Sequence, residues 1–414
     1  MQLPHHIKEL QNLYDLHPED FTIKRELGNN LLHYGNELYL NNKQEESLTV
    51  FQTLSRLFPS SSAVWHNIGY VHAELNQPYD AVSAYQKALQ YDPNNLETHI
   101  CLATSLLSIG DYKQGFAEYE WRWQQTGNAL YALNIPVWNH ENLQGKKILL
   151  RSEGSLGDVI QFIRYARIIK SYGAYVILQT HKALHPLFSY CDYVDEFIDD
   201  LRDLPTVDFQ QSLMSLPFVL QTTLTTIPNP PYLQADIHLV DSWRQQIQHD
   251  TNFKIGICWQ ADPHNDAQRP PRAQRSIPLS LYAAFTKIKD TSWYSLQAVD
   301  GLDQCASMPE LRTFGYDFDL KHGRFMDTAA LMMHLDLIIT VDTSIAHLAG
   351  ALGRNVWLLL PYRCDWRWMH KGATCAWYPT MRIFRKSNPH DWSHVIEEVY
   401  KALIDYINTR SLPI

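Results

Sequence analysis

One spacing governs the first third of this 414-residue chain. Residues 62–95 carry Trp65, Ile68, Gly69, His72, Ala81, Tyr85, Ala88 and Pro93. Stepping back by the same 34-residue length gives Leu31, Tyr34, Gly35, Leu38, Phe51, Leu54 and Pro59. Stepping forward gives Leu102, Ala103, Leu106, Gly115 and Tyr119, a weaker third copy. Small residues set opposite large ones let two antiparallel helices approach closely, and a proline then ends the pair. Such a pair cannot bury its apolar face alone, so copies must stack on one another. Residues 1–27, with Leu10, Leu13 and Leu16, are expected to form a helix capping the stack.

The spacing is that of a tetratricopeptide repeat. The third copy ends in Tyr119-Glu120-Trp121-Arg122-Trp123, richer in large aromatics than a solvent-facing cap requires, and is expected to be the seam onto the next domain. Residues 126–145, with Pro136 and Asn139, lack periodicity and read as a linker. From Lys146 onward, short apolar strands alternate with helices. Lys147–Leu150, Tyr175–Leu178, Lys254–Trp259, Trp293–Leu296, Leu337–Val341 and Val356–Leu360 are the expected strands. This alternation implies parallel sheets covered by helices. The expected order is therefore a helical repeat domain (1–125), the linker, two similar α/β domains (146–240 and 250–390) with a cleft between them, and a closing helix in 391–414 that packs back across the domains.

Composition narrows the function. A net charge of −9 argues against a nucleic-acid footprint. Hydrophobic content of 45% with 19% charged residues is that of a globular protein, and the longest apolar run falls well short of a membrane span. The N-terminal Met-Gln-Leu-Pro-His-His has no signal-peptide pattern. Six scattered cysteines without a CxxC pair read as thiols in a reducing compartment, so a cytoplasmic location is expected. No His, Asp or Glu spacing suggests a metal.

Four stretches follow expected strands and could carry chemistry. In Leu335–Pro361, the strand 337–341 runs into Asp342-Thr343-Ser344, which opens a small-residue helix. Helix N-termini present unpaired N–H groups at the positive end of a dipole, where phosphate docks. Thr343 and Ser344 suit phosphate and Asp342 a ribose hydroxyl. His347 is one turn further along the helix, as a ligand contact or as a core histidine. In Gly154-Ser155-Leu156-Gly157-Asp158, Gly154 and Gly157 allow close backbone approach. Asp158 either caps its helix or accepts a proton from a hydroxyl. Residues 260–275 hold Arg269, Arg272 and Arg275 in a proline-rich loop read as a lid; these arginines either grip a diphosphate or are simply solvated. Arg275 is the strongest of the three. Arg363-Cys364-Asp365-Trp366-Arg367-Trp368 offers tryptophans to stack on a sugar or base, or to plug a loop. Gln297, following strand 293–296, is a candidate for the nucleobase region.

Leu156-Gly157-Asp158-Val159-Ile160-Gln161-Phe162 resembles the N-terminal-domain motif of family 9 glycosyltransferases, the heptosyltransferase group. Asp342-Thr343-Ser344-Ile345-Ala346-His347-Leu348 resembles their donor motif. Arg275-Ser276-Ile277-Pro278-Leu279, Asp365-Trp366-Arg367-Trp368 and Trp377-Tyr378-Pro379-Thr380 are similar to repeat-containing members of that group. The resemblance implies a GT-B fold and transfer from a nucleotide diphosphate sugar, without a metal and with inversion. It implies Asp158 as general base, with Asp342, Thr343, Ser344 and His347 holding the donor's diphosphate and ribose, and Arg275 on phosphate. Ser155 stands where many relatives have glycine, and the repeats remove any warrant for a lipid-core acceptor. The expected partners are a nucleotide sugar and a protein or polysaccharide acceptor held by the repeats, with no cofactor. The rival class is a non-catalytic repeat scaffold carrying a degenerate transferase.

Overall fold

The computed structural model describes residues 3–125, 133–315 and 317–410. They form two compact units: Met1–Gly127 with Asp365–His370, and Asn128–Cys364 with Lys371–Ile414. Residues 126–132 of the expected linker and 411–414 of the closing segment lie outside the described residues.

The first unit is the helical stack. Its helices are α1 (His5–Leu16), α2 (Phe21–Leu40), α3 (Gln44–Leu57), α4 (Ser62–Glu74), α5 (Pro78–Tyr91), α6 (Leu96–Ser108), α7 (Tyr112–Tyr119) and a single turn, α8 (Arg122–Gln125). Asp20, Ser61, Asn95 and Asp111 each accept backbone N–H groups at a helix start. The small-against-large pattern is physical. A Cβ on Gly35 would meet the Phe51 ring at 2.7 Å, and one on Gly69 the Tyr85 ring at 2.7 Å. The N-terminal expectation needs correction. Residues 1–27 are not one capping helix, because α1 stops at Leu16 and α2 starts at Phe21. Ile7 is the buried anchor of α1, whereas Leu13 and Leu16 are exposed.

Asp365–His370 also belongs to this unit. Trp366 packs edge-on against Tyr112 and Phe116, and His370 donates its backbone N–H to Ser108 O. Of the two readings for these tryptophans, Trp366 is therefore a plug among the repeats.

The second unit holds two parallel sheets. The first contains β1 (Lys147–Arg151), β2 (Tyr175–Gln179), β3 (Glu196–Ile198) and β4 (Phe209–Ser212) in the order β3-β2-β1-β4. The second contains β5 (Phe253–Cys258), β6 (Thr291–Ser295), β7 (Leu311–Arg312), β8 (Leu337–Val341), β9 (Val356–Leu360) and β10 (Met381–Arg385) in the order β10-β9-β8-β5-β6-β7. Every pairing between these strands is parallel. β8 and β9 are buried along their whole length, as central strands of a doubly covered sheet must be. Helical repeats followed by two Rossmann-like halves is the fold class the sequence predicts.

Three boundaries differ from expectation. Residues 133–145 are drawn onto the first sheet: Gln210 donates its N–H to Pro136 O, Trp138 donates its own to Gln210 O, and the Trp138 ring is buried. The Ile237–Ile247 helix straddles the expected end of the first domain yet packs on the second sheet's side, because Trp243 Nε1 donates to Asp327 Oδ1 at 3.0 Å. The Ser393–Arg410 helix, expected to cross the domains, instead places Val395, Ile396, Val399 and Leu403 in the core of the second sheet beside Trp357 and Phe384.

Candidate functional site

Two strand–turn–helix steps meet at the centre of the second unit. In the first, β1 leads through Ser152–Ser155 into the Leu156–Phe162 helix. Ser155 caps that helix, and its N–H and Oγ both donate to Asp158 Oδ2, at 2.6 and 2.8 Å. A Cβ on Gly154, whose φ is +77°, would lie 2.5 Å from the same oxygen. Asp158 is thus built into a capping box, with glycine required beside it.

In the second step, β8 leads through Asp342 and Thr343 into the Ser344–Ala351 helix. Thr343 is the cap, its Oγ1 accepting the Ile345 N–H at 3.3 Å. Thr343 and Ser344 are partly exposed, while Asp342 and His347 are buried. Helix geometry leaves the Ser344 N–H without an intrahelical partner.

The two steps touch. A Cβ on Gly157 would lie 3.0 Å from His347 Cδ2, 3.6 Å from His347 Nε2 and 3.6 Å from Ser344 Cα. Glycine is required here because the two helices approach that closely. The structure therefore brings Gly157, Asp158, Thr343, Ser344 and His347 into one neighbourhood, beyond the carboxyl ends of β1 and β8. In open α/β sheets ligands bind at such ends.

His347 is oriented from behind. Its Nδ1 lies 2.9 Å from the hydroxyl of Tyr378, whose ring occupies the space a side chain on Gly350 would need. Burial holds the Tyr378 phenol well above its ordinary pKa, so it stays protonated. Tyr232 directs its own proton to Ile160 O and accepts from Arg164 Nη2 at 2.8 Å. The Tyr378 hydroxyl also lies 3.4 Å from that of Tyr232, so it bridges Tyr232 and His347 Nδ1 and holds the imidazole with its Nε2 side facing Gly157.

Arg164 is the hub of this arrangement. It is fully buried and donates to Gln161 O, Pro228 O and Trp377 O as well as to Tyr232. Its guanidinium also stacks over the Tyr232, Trp377 and Tyr378 rings. Among the described residues no carboxylate pairs with it. Carbonyl dipoles and π faces stabilise its charge instead. Sequence reasoning passed over Arg164 and Tyr232, and gave Tyr378 no role beyond its place in a motif. The available signal was one cation inside the apolar run Val159–Tyr165.

Arg275 lies beside the second step. Its side chain is mostly buried, with Nη1 4.0 Å from Asp342 Oδ2 and Nε 3.6 Å from Asp266 Oδ1. The Nε is buried and makes no hydrogen bond. Asp266 accepts the N–H groups of Arg275 and Ser276, at 2.9 and 3.0 Å. Burial opposes its charge, but these bonds and the Arg275 guanidinium outweigh that and hold its carboxyl below the ordinary value. Residues 260–275 are therefore not an open lid. The loop winds around Asp266 through the short Pro263–Ala267 helix and buries Arg272.

Gln297 bridges strand ends. Its Oε1 accepts the Gln260 N–H at 3.2 Å and its Nε2 donates to Gln260 O at 3.1 Å. Cys258, whose thiol burial pushes up to about 11, donates to the same Oε1. Both ends of the Gln297 amide are thus held by Gln260, at the ends of β5 and β6. Among the described residues, no group of three or more His, Cys, Asp or Glu side chains is placed to hold a metal ion, and no helix is long and apolar enough to cross a membrane.

Residues 62–95 match the family model of the tetratricopeptide repeat. These residues form a tetratricopeptide repeat. Over a longer stretch the chain is similar to protein FlbA of Caulobacter vibrioides, with 24% identity over 392 residues, covering 87% of this chain and 64% of that protein. The chain thus spans less than two-thirds of that relative's length. Among solved structures, the chain overlaps a family 9 glycosyl transferase from Veillonella parvula (12% identity, TM-score 0.46, 65% of this chain and 100% of that one). It also overlaps the E. coli ADP-heptose lipopolysaccharide heptosyltransferase II (14% identity, TM-score 0.45, 64% of this chain and 98% of that one).

Proposed function

We propose that the α/β unit transfers a sugar from a nucleotide diphosphate donor to a hydroxyl group of a protein or glycan. The observation that carries this reading is the contact of Gly157 with His347 and Ser344. It joins a phosphate-type helix start on one sheet to a carboxylate-bearing turn on the other. On this reading the diphosphate lies against the Ser344–Ala351 helix start. It takes hydrogen bonds from the Ser344 amide and from the Thr343 and Ser344 hydroxyls. Arg275 adds a fixed positive charge with an uncommitted Nε–H, and His347 adds its imidazole. Asp342 takes a ribose hydroxyl, and Gln297 lies towards the base.

The chemistry is a single displacement at the anomeric carbon. The acceptor oxygen loses its proton to a carboxylate of the 153–158 turn as it bonds to that carbon. The bond to the diphosphate breaks with its electron pair going to the departing oxygen, and configuration inverts. Motif resemblance assigns the proton acceptor to Asp158. Amides, hydroxyls and Arg275 stabilise charge on the leaving group, so no bound metal is required on this reading. The repeats supply the surface that holds the acceptor.

The test uses the full chain with UDP-, GDP-, ADP- and dTDP-sugars, following thermal midpoint and release of nucleoside diphosphate. At least one donor is expected to raise the midpoint and to be cleaved; a donor at 100 times its Kd adds about 2.7 kcal/mol of stability. A chain that responds to none of them is not a sugar transferase of this kind.

A further inference from the structure

The two halves of the α/β unit touch at Gly157 and His347, beyond the carboxyl ends of β1 and β8. They touch again on the same side of the sheets. Residues 317–325 lead from β7 towards the Met326–Met332 helix, and they set Gly323 against Pro186 in the His185–Phe188 turn that follows β2. A Cβ on Gly323, whose φ is +111°, would lie 2.9 Å from Pro186 Cγ and 3.1 Å from Pro186 Cβ. In the second sheet, β5 and β6 separate β8 from β7. At about 4.8 Å per strand, the strands that carry the two contacts stand about 14 Å apart. Gln260 and Gln297, just past the ends of β5 and β6, fall between them. The cleft over β5 and β6 is therefore bounded at both ends.

The segment that makes the second contact is anchored at its ends and loose between them. Asp319 and Asp327 are buried. Asp319 accepts the N–H of Thr328 at 2.9 Å and its hydroxyl, and donates its own N–H to Asp327 Oδ2 at 3.2 Å. Asp327 also accepts Trp243 Nε1, and both its oxygens lie 3.0 Å from His322 Nδ1. At the other end Phe325 is buried, and its carbonyl accepts the Ala329 N–H. From 320 to 324 no side chain is buried. Both anchors are non-glycine residues in left-handed backbone, with φ of +59° at Asp319 and +68° at Phe325. Such conformations are strained and recur at clamps and switch segments. A stretch that buries no side chain also opens more readily than the elements around it.

We propose that residues 317–325 are a clasp across the donor cleft, hinged at Asp319 and Phe325, latched by Asp327 and seated on Pro186 of the opposite half. This rests on the sugar-transfer reading above. The clasp opens to admit the nucleotide sugar and to release the nucleoside diphosphate, and closes to exclude water between those events. It takes no part in bond making. Asp327 is a positioning residue that acts through the segment it holds.

The test follows association and release, by stopped flow, of whichever of UDP, GDP, ADP or dTDP the full chain binds. It compares wild type, Asp327→Asn and the double variant Pro186→Cys with Gly323→Cys. The two Cβ atoms of that pair would stand 3.1 Å apart, within a few tenths of an ångström of disulfide spacing. Oxidising the pair is expected to slow association and release together by about tenfold or more, and reductant to restore both. Asp327→Asn is expected to speed both rates about three- to tenfold, with Kd within about twofold of wild type. A purely structural role would lower the melting temperature and leave both rates unchanged. If the oxidised pair exchanges nucleotide as fast as the reduced one, or does not cross-link in the folded chain, the clasp is overturned and the sugar-transfer reading stands. If the wild type binds no nucleotide, both fall together.

Discussion

The two turns that meet at Gly157 are built on the same plan and use their polar groups differently. Each follows a parallel strand and opens a short helix. In the Ser152–Asp158 turn, the capping serine and the acidic residue bind each other, so the helix start is closed from within the chain. In the Asp342–Ser344 turn, the cap uses only the Thr343 hydroxyl, and the adjacent Arg275 has a buried Nε–H that makes no hydrogen bond. A buried donor without an acceptor costs stability. On the proposed function, this difference leaves the second turn to receive an anion, while the first helix start is closed by its own serine and aspartate.

The largest expected effect comes from pushing the turns apart. Gly157→Ala places a methyl 3.0 Å from His347 Cδ2. Its expected cost is about 1–3 kcal/mol of stability, with loss of most donor cleavage, measured by denaturation and nucleoside diphosphate release. Gly69→Ala, which meets Tyr85 at 2.7 Å in the repeats, is the contrasting variant. It should cost comparable stability and leave donor KM unchanged. Equal effects of the two on donor KM would dissolve the contrast.

Next in size is Arg275→Ala, expected to weaken nucleoside diphosphate binding about 10- to 100-fold by calorimetry. Tyr378→Phe should follow, removing the hydroxyl that orients His347 at the cost of about 1 kcal/mol in donor affinity and little change in fold.

The smallest effect lies away from both turns. Burial raises the Asp319 carboxyl to about 6, although Thr328 hydrogen-bonds to it. A carboxyl raised on folding favours the native state below its unfolded pKa and loses that advantage as pH rises through the folded value. Asp319→Asn should therefore melt higher, relative to wild type, at pH 7.5 than at pH 5, by about 2 °C. An identical difference at both pH values would show that Asp319 does not titrate in this window.

What the sequence revealed followed the range of the contacts involved. Gly35, Gly69 and their aromatic partners recur at one spacing, and each pair closes within a single repeat, so the helical unit was legible. The strands β1, β2, β5, β6, β8 and β9 and both turn motifs were legible as local patterns, whereas β3, β4, β7 and β10 were not expected. The need for glycine at 157 was not, because His347 supplies it from 190 positions away. Arg164 was hidden for a similar reason: its partners are at 161, 228, 232 and 377, and no carboxylate spacing announced them. The 260–275 stretch looked like a solvated lid because only the fold shows Asp266 gathering its backbone. For Trp366 the stacking and plug readings both stood open, because the return of 365–370 to the repeats leaves no local mark.

On the proposed function, the Asp342–Ser344 turn and Arg275 form an anion site completed by the Gly157 turn. Titration calorimetry of the full chain with UDP, GDP, ADP and dTDP tests it most directly. At least one nucleotide should bind, weakened about 10-fold or more in both Arg275→Ala and Gly157→Ala. Binding that is absent in the wild type, or unaffected by both substitutions, would contradict it.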